Sequence, residues 1–268
     1  MIRLTVLGSC GTYPAPGRAC SGYLLEADTG SGGTAKIWVD VGGGSLANLL
    51  GVANIADLDA IWVSHLHVDH VSDLPLAYYT LRYGDFGRPP PTLPVYGPAG
   101  WADHVRGFVS TGTSAVLEEV FEVHELCDGK RLSFGSLELT AVATVHSLET
   151  YGVRATAGGQ TIAYSADSGP CDGLGRLAER ADLFVCEAAW AEWPDDADPH
   201  HMTPALAGRW AAEGRAGRLV LTHLRPPDDP RAAVNRAREA YGGEVEVAME
   251  GDVYQLGGTR EQSRRPRP

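Results

Sequence analysis

The chain has 268 residues, of which 44% are hydrophobic, and a formal net charge of −12. This composition suits a globular protein with a sizeable core, disfavours long nucleic acids as partners, and offers no apolar run near the roughly 20 residues of a membrane helix. The five scattered cysteines form no Cys-x-x-Cys pair. They argue against a disulfide framework and predict a reducing, cytoplasmic location.

Turn signals divide the chain into short strands and helices. The predicted strands cover residues 3–8, 21–26, 36–40, 60–63, 95–97, 117–124, 131–134, 137–145, 151–156, 160–165, 183–187, 218–222 and 245–248. The predicted helices cover residues 45–52, 73–83, 99–110, 173–181, 203–213 and 229–241. Two groups of strands with interspersed helices predict an α/β fold of the αββα type, in which two mixed sheets lie between helical layers. We expect one domain over residues 1–256 and a disordered basic tail over 257–268.

A dense set of potential metal ligands follows the apolar run 60–63, in the segment Ser64-His65-Leu66-His67-Val68-Asp69-His70. His65 and His67 are two residues apart, so they point the same way in an extended chain. Asp69 and His70 follow where the chain turns and can address a second ion. Neutral imidazoles and a carboxylate suit zinc, with manganese or iron as alternatives.

Further ligand-type residues follow three later strands, namely His146, Asp167 and His223. Loops at strand ends commonly gather a site. Together with the first motif, these residues complete two coordination shells.

In order and spacing, these seven residues resemble the metal-binding motifs of the metallo-β-lactamase superfamily. The resemblance implies an αββα sandwich with two divalent metal ions. It assigns the first ion to His65, His67 and His146. It assigns the second ion to Asp69, His70 and His223, with Asp167 bridging both.

A second motif narrows the chemistry. His201-Met202-Thr203 opens a predicted helix and is similar to a motif of the phosphodiesterase branch, which includes ribonuclease Z. The resemblance implies that His201 protonates the leaving alkoxide, a role that suits imidazole, and we take His201 and Asp69 as the catalytic residues. His200 is interpreted as an exposed histidine.

Two carboxylates near these motifs have open roles. Glu187 either orients a histidine or binds backbone amides, and Asp40 either braces the metal loop or is an ordinary turn residue. Ser9 and Thr12, or Tyr78 and Tyr79, are candidates to line the pocket, although core packing is favoured for the tyrosines.

Ribonuclease Z itself is disfavoured, because only residues 147–166 separate His146 from Asp167 and a hairpin consumes them, which leaves no room for that enzyme's tRNA-binding arm. Six segments resemble the actinobacterial atypical class II cyclic-AMP phosphodiesterases: 20–27, 39–44, 64–75, 163–169, 186–190 and 221–224. The chain departs from the usual Gly-Asp-Thr at Ala166-Asp167-Ser168.

We therefore predict hydrolysis of a small or cyclic phosphodiester, such as 3′,5′-cyclic AMP, by water activated between two cations, most simply Zn²⁺. The expected partner is a small-molecule phosphodiester, without long nucleic acid or membrane, and the branch is commonly homodimeric. The alternatives are a metal-dependent lactone or carboxylic-ester hydrolase and a metal-binding scaffold without activity.

Overall fold

The computed structural model describes residues 1–30, 32–109, 116–192 and 200–257. The strands are β1 (Ile2–Gly8), β2 (Gly22–Asp28), β3 (Thr34–Val41), β4 (Ala60–Trp62), β5 (Leu93–Gly97), β6 (Phe121–Glu125), β7 (Arg131–Phe134), β8 (Leu137–Ala143), β9 (Tyr151–Ala157), β10 (Gln160–Tyr164), β11 (Leu183–Glu187), β12 (Leu219–Thr222), β13 (Val245–Val247) and β14 (Val253–Leu256). The helices are α1 (Ser45–Leu50), α2 (Val68–Val71), α3 (Leu74–Tyr83), α4 (Trp101–Val109), α5 (Asp172–Ala178), α6 (Pro204–Gly214) and α7 (Pro230–Tyr241).

The strands form two seven-stranded mixed sheets, ordered β14-β1-β2-β3-β4-β5-β6 and β13-β12-β11-β10-β9-β8-β7. In the first sheet, β3 to β6 run parallel to one another. In the second sheet, β10 to β13 do the same. Because parallel neighbours end at the same edge, the loops that follow these strands collect at one edge of each sheet.

Both faces of the central strands are buried, which explains their nearly continuous apolar sequences. In β3, Ile37 and Val39 pack into the core between the sheets, whereas Trp38 and Val41 pack outward beneath α1, α3 and α4. A third apolar cluster lies between the second sheet and α5, α6 and α7. The predicted αββα sandwich is therefore confirmed.

Two of the helices that border the second sheet, α6 and α7, begin at side-chain caps. Thr203 accepts a hydrogen bond from the amide of Leu206 at the start of α6, and Asp229 accepts one from Arg231 at the start of α7. A proline occupies the first helical turn in both cases, where its missing N–H costs nothing. These caps fix where the segment containing His201 meets α6.

Several predicted boundaries need correction. The predicted strand over 117–124 is a 3-10 turn at Leu117–Glu119 followed by β6. The strand β14 and the short helix α2 were not predicted. Of the predicted basic tail, residues 258–268 lie outside the described part of the chain. Among the described residues, no helix is long and apolar enough to cross a membrane.

Candidate functional site

The seven predicted ligands meet on the loops that follow four strands. The first motif leaves β4 and enters α2, so that His67 occupies the position before the first helical turn. His146 and Asp167 lie three residues beyond β8 and β10, and His223 directly follows β12. The loops of both sheets therefore contribute to one cluster.

Three imidazoles and one carboxylate form the first half of the cluster. His67 Nδ1 lies 3.0 Å from His65 Nε2 and 3.0 Å from His146 Nε2. Asp167 Oδ2 lies 3.7 Å from His65 Nε2 and 3.9 Å from His146 Nε2. Ligand atoms bound to one tetrahedral zinc lie roughly 3.3 Å apart. The four atoms therefore have the spacing of a single coordination sphere.

The second half shares Asp167. Its Oδ1 lies 3.3 Å from His70 Nε2, and its Oδ2 lies 3.2 Å from His223 Nε2. Asp69 Oδ2 lies 3.7 Å from each of the same two ring nitrogens. Asp167 thus stands between the two halves, as a bridging carboxylate would.

The chemistry of the donor atoms fits divalent cations. His70 Nε2 and Asp167 Oδ1 are buried atoms without a hydrogen-bond partner, although orphaned buried polar atoms are costly in proteins. Both atoms face the centre of the cluster. Such an arrangement is explained when these atoms serve as ligands, and the cluster as a whole fits a two-metal centre.

Burial and charge set the protonation of the cluster. Burial lowers the pKa of His65, His67 and His146 below the ordinary histidine value, which favours the neutral imidazole that binds metals. Burial acts in the same direction on His70, but the carboxylates of Asp167 and Asp40 outweigh it and hold the pKa of His70 well above the ordinary value. Burial would raise the pKa of Asp167, yet His223 and His70 hold it well below its usual range. A bound cation would take the place of the proton on His70.

Asp40 is the support of the metal loop. Its fully buried carboxylate accepts hydrogen bonds from Ser64 N (2.8 Å), Ser64 Oγ (2.9 Å), His70 Nδ1 (2.8 Å) and the hydroxyl of Tyr164 (2.8 Å). Because it holds the proton on Nδ1 of His70, it leaves Nε2 as the lone-pair nitrogen that faces the cluster. Of the two roles open from the sequence, bracing the loop is the observed one.

His201 lies beside the cluster and is held by Glu187. The distance from His201 Nδ1 to Glu187 Oε1 is 2.8 Å, and the same nitrogen lies 3.9 Å from Asp167 Oδ2. Burial would lower the pKa of His201, but the charge and hydrogen bond of Glu187 raise it to about 9. Glu187 also accepts hydrogen bonds from the amides of Ser168 and Ala189. Both roles considered for Glu187 are therefore observed at once.

The interpretation of His200 as an exposed histidine is wrong: the residue is half-buried, its ring lies against that of His146, and its backbone also contributes to the site. The carbonyl oxygen of His200 lies 2.7 Å from His146 Nδ1, so it fixes the orientation of that ring and leaves Nε2 facing the cluster. Sequence patterns carry no sign of a backbone contact of this kind.

Local backbone strain concentrates at the site. Of the six described non-glycine residues with positive φ, four lie in or beside the cluster: Thr12 (68°), Asp40 (55°), Ala166 (54°) and His223 (58°). Such conformations cost on the order of 1–3 kcal/mol each and persist only where the surroundings enforce them. The site is thus held in place by the fold around it.

The residues proposed to line the pocket have other roles. The hydroxyl of Ser9 is engaged by Arg18 and Glu250, and Thr12 contributes its amide, which donates to Asp69 Oδ2 at 2.8 Å. Tyr78 is a core residue, as favoured from the sequence. Core packing is wrong for Tyr79, which is 40% exposed and donates its hydroxyl to the carbonyl of Val109. Sequence reasoning also missed Ser21, whose hydroxyl lies 3.1 Å from His223 Nδ1.

Comparison with known proteins agrees with this geometry. A family model described as a Beta-lactamase superfamily domain matches residues 38–224. The probable metallo-hydrolase YhfI of Bacillus subtilis is 31% identical, over 95% of this chain and 100% of the relative. Its crystal structure superposes with a TM-score of 0.79 at 30% identity, covering 94% of this chain and 98% of that one.

A ribonuclease Z of Salinispora arenicola is 30% identical, over 92% of this chain and 94% of the relative. That alignment extends over 301 positions, more than the 268 residues of this chain, so the ribonuclease Z carries insertions relative to it. The chain therefore belongs to the metallo-β-lactamase superfamily, as a metallo-hydrolase related to YhfI and to ribonuclease Z.

Proposed function

We propose that this metallo-hydrolase cleaves small or cyclic phosphodiesters, with a cyclic nucleotide such as 3′,5′-cyclic AMP as the substrate of choice. The observation that carries the proposal is the pairing of His201 with Glu187 beside Asp167. This pair places a proton donor next to the candidate metal centre without belonging to either set of proposed ligands.

The proposed ligands are His65, His67 and His146 for one ion, and Asp69, His70 and His223 for the other, with Asp167 between them. When bound, two divalent cations, most simply Zn²⁺ with Mn²⁺ as the alternative, activate water and neutralise the non-bridging oxygens of a phosphodiester. Asp69, whose Oδ2 is fixed by the amide of Thr12, would supply a carboxylate oxygen to the second ion.

The role of His201 follows from its contacts. Because Glu187 engages Nδ1, Nε2 is the nitrogen left to give a proton to the departing alkoxide. An alkoxide is a poor leaving group, and a positioned general acid contributes about 10²–10⁴-fold to such a step. A lactone or carboxylic ester has less need of this donor, because its tetrahedral intermediate can collapse without it.

The hairpin and the net charge support a small substrate. The segment between His146 and Asp167 is taken up by β9 and β10, with a two-residue turn between them, so it has no room for an RNA-binding arm. A net charge of −12 further disfavours long polyanions. A small phosphodiester is therefore the proposed partner.

We further propose that the protein acts in the cytoplasm as a homodimer. Light scattering of the purified protein tests the dimer.

The decisive experiment compares substrates and variants on one metal-loaded sample. We expect hydrolysis of bis-p-nitrophenyl phosphate and cyclic AMP, with little turnover of a homoserine lactone. His201→Ala should lower kcat by about 10²–10⁴-fold with unchanged metal content. His104→Ala, which removes an exposed histidine on α4, should change neither.

Other outcomes separate the alternatives. Turnover of the lactone but of neither phosphodiester would identify the ester hydrolase instead. Loss of metal in His201→Ala would make His201 a ligand. No turnover of any ester at full metal occupancy would identify a metal-binding scaffold.

A further inference from the structure

We propose that Glu250 is a positioning residue, which clamps the β1–β2 loop (residues 9–21) so that this loop can hold Asp69 and His223 in the candidate metal centre. Glu250 lies in the turn between β13 and β14, 241 residues from Ser9 along the chain. The proposal rests on the two-metal centre, but it does not depend on which ester is cleaved.

The clamp joins both ends of the loop. Glu250 Oε1 accepts hydrogen bonds from Ser9 N (3.2 Å), Ser9 Oγ (3.3 Å) and Ala19 N (3.2 Å). The amides of Ser9 and Cys10 both donate to the carbonyl of Ala19. The carboxylate therefore closes the base of the loop, where its two strands come together.

Arg18 completes the clamp from within the loop. Its Nη2 donates to Ser9 Oγ at 3.1 Å, and its Nε lies 3.8 Å from Glu250 Oε2. The side chains of Arg18 and Glu250 are only 17% and 14% exposed, so this ion pair is less screened by solvent than a surface pair. The turn between β13 and β14 is thus tied by charge as well as by hydrogen bonds.

The clamped loop touches the centre at two points. The amide of Thr12 donates to Asp69 Oδ2 at 2.8 Å. On the other side, the amide of His223 donates to the carbonyl of Ser9 at 3.0 Å. Ser9 is therefore bound to Glu250 through its N–H and hydroxyl and to the amide of His223 through its carbonyl.

The packing of the loop leaves little freedom at these contacts. A Cβ added to Gly11 would lie 2.2 Å from the carbonyl oxygen of His223, so the loop backbone is pressed against that residue. The positive φ of Thr12 and of His223 needs support from surrounding structure. Release of the loop at Ser9 and Ala19 should therefore loosen both contacts with the centre.

The test uses Glu250→Ala, Glu250→Gln and a matched control, Glu26→Ala. Glu26 is also a largely buried carboxylate, with its side chain 8% exposed. It pairs with Arg3, which lies at the end of β1 remote from the loop. Glutamine retains one oxygen that can accept from Ser9 and Ala19, although it lacks the charge facing Arg18. Its behaviour should lie between those of alanine and the wild type.

Two measurements report on positioning without any substrate. Hydrogen–deuterium exchange of the metal-free protein should speed up in the peptide 9–21 for Glu250→Ala, and not for Glu26→Ala. Competition with a chromogenic chelator should show that Glu250→Ala binds the ion assigned to Asp69 and His223 about 10–100-fold less tightly, the usual effect of losing an outer support of metal ligands. Glu26→Ala should bind both ions like the wild type.

The proposal is overturned when folded Glu250→Ala exchanges in the loop and binds both ions like the wild type. It is also overturned when Glu26→Ala produces the same changes, since the effect would then be general destabilisation. Should Glu250→Ala fail to fold, Glu250→Gln decides, with unchanged exchange and metal affinity counting against the proposal. All of these readouts hold whether or not a phosphodiester is cleaved.

Discussion

Replacement of Asp40 by asparagine tests whether this carboxylate sets the proton position on His70. In the wild type, Asp40 Oδ2 receives three donors, from Ser64 Oγ, His70 and Tyr164, while Oδ1 receives the amide of Ser64. When the NH2 group of the new asparagine faces His70, a hydrogen-bond donor replaces the acceptor Oδ2. His70 would then carry its proton on Nε2, where a metal ion should bind.

The opposite orientation of the new amide is no better. With its oxygen towards His70, its NH2 group faces the N–H of Ser64, which can only donate. Either orientation leaves at least one buried polar group unpaired, at a cost of about 1–3 kcal/mol. In domains of roughly this size, each kcal/mol lowers Tm by about 2–4 °C.

The assay for Asp40→Asn combines thermal unfolding of the metal-free protein with metal competition. We expect a lower Tm and a loss of about 10–100-fold in affinity for the ion assigned to His70, with the other ion bound nearly as before. Asp182→Asn is the control, because Asp182 accepts the amide of Thr161 far from the site. Wild-type affinity for both ions in folded Asp40→Asn would refute the argument about the proton on His70.

Three further predictions concern the same chain. Glu187→Gln should lower kcat by about 10–100-fold while metal content stays unchanged, because glutamine cannot accept hydrogen bonds from His201, Ser168 and Ala189 together. Unchanged kcat on a phosphodiester would contradict the role of Glu187 in holding His201. Removal of metal by a chelator should lower Tm, since a metal ion present at 100 times its Kd stabilises the folded state by about 2.7 kcal/mol. Equal Tm values with and without metal would argue against a site whose metal-binding residues come from both sheets. Iodoacetamide should label exposed Cys127 in the native protein before the buried thiols. Burial raises the pKa of Cys10 and Cys186, and that of Cys20 to about 12, so these thiols react more slowly. Equal labelling of all four cysteines in peptide mass spectrometry would contradict their burial.

The candidate ligands could be predicted from the sequence because they follow strands of strongly apolar character. The run that ends at Val63 must be buried, so the polar residues after it have to lie at a sheet edge. The same reasoning placed His146, Asp167 and His223 near the first motif. Parallel neighbours such as β10, β11 and β12 end together, which turns distant positions in the chain into a single cluster.

The supports of the site could not be predicted in the same way. The contacts of Thr12 and His200 use backbone atoms, which any residue type could supply. Glu250 follows a weakly patterned segment, and its partners lie at the other end of the chain. The strand β14 has only Tyr254 as a buried residue, so its existence depends on pairing with β1 rather than on a pattern of its own.

The proposed separation between metal binding and proton donation rests on two sets of contacts. Asp40 and Tyr164 link the metal loop of the first sheet to the strand before Asp167 in the second, so buried hydrogen bonds join the two sheets at the candidate centre. Glu187 is the last residue of β11, and His201 precedes α6. Glu187 takes its remaining hydrogen bonds from the amides of Ala189 and of Ser168, the residue after Asp167. Under the proposed function, loss of the His201 ring removes the proton donor but none of the seven proposed ligands. The phosphodiester proposal depends on the His201–Glu187 pair, which belongs to neither set of proposed ligands.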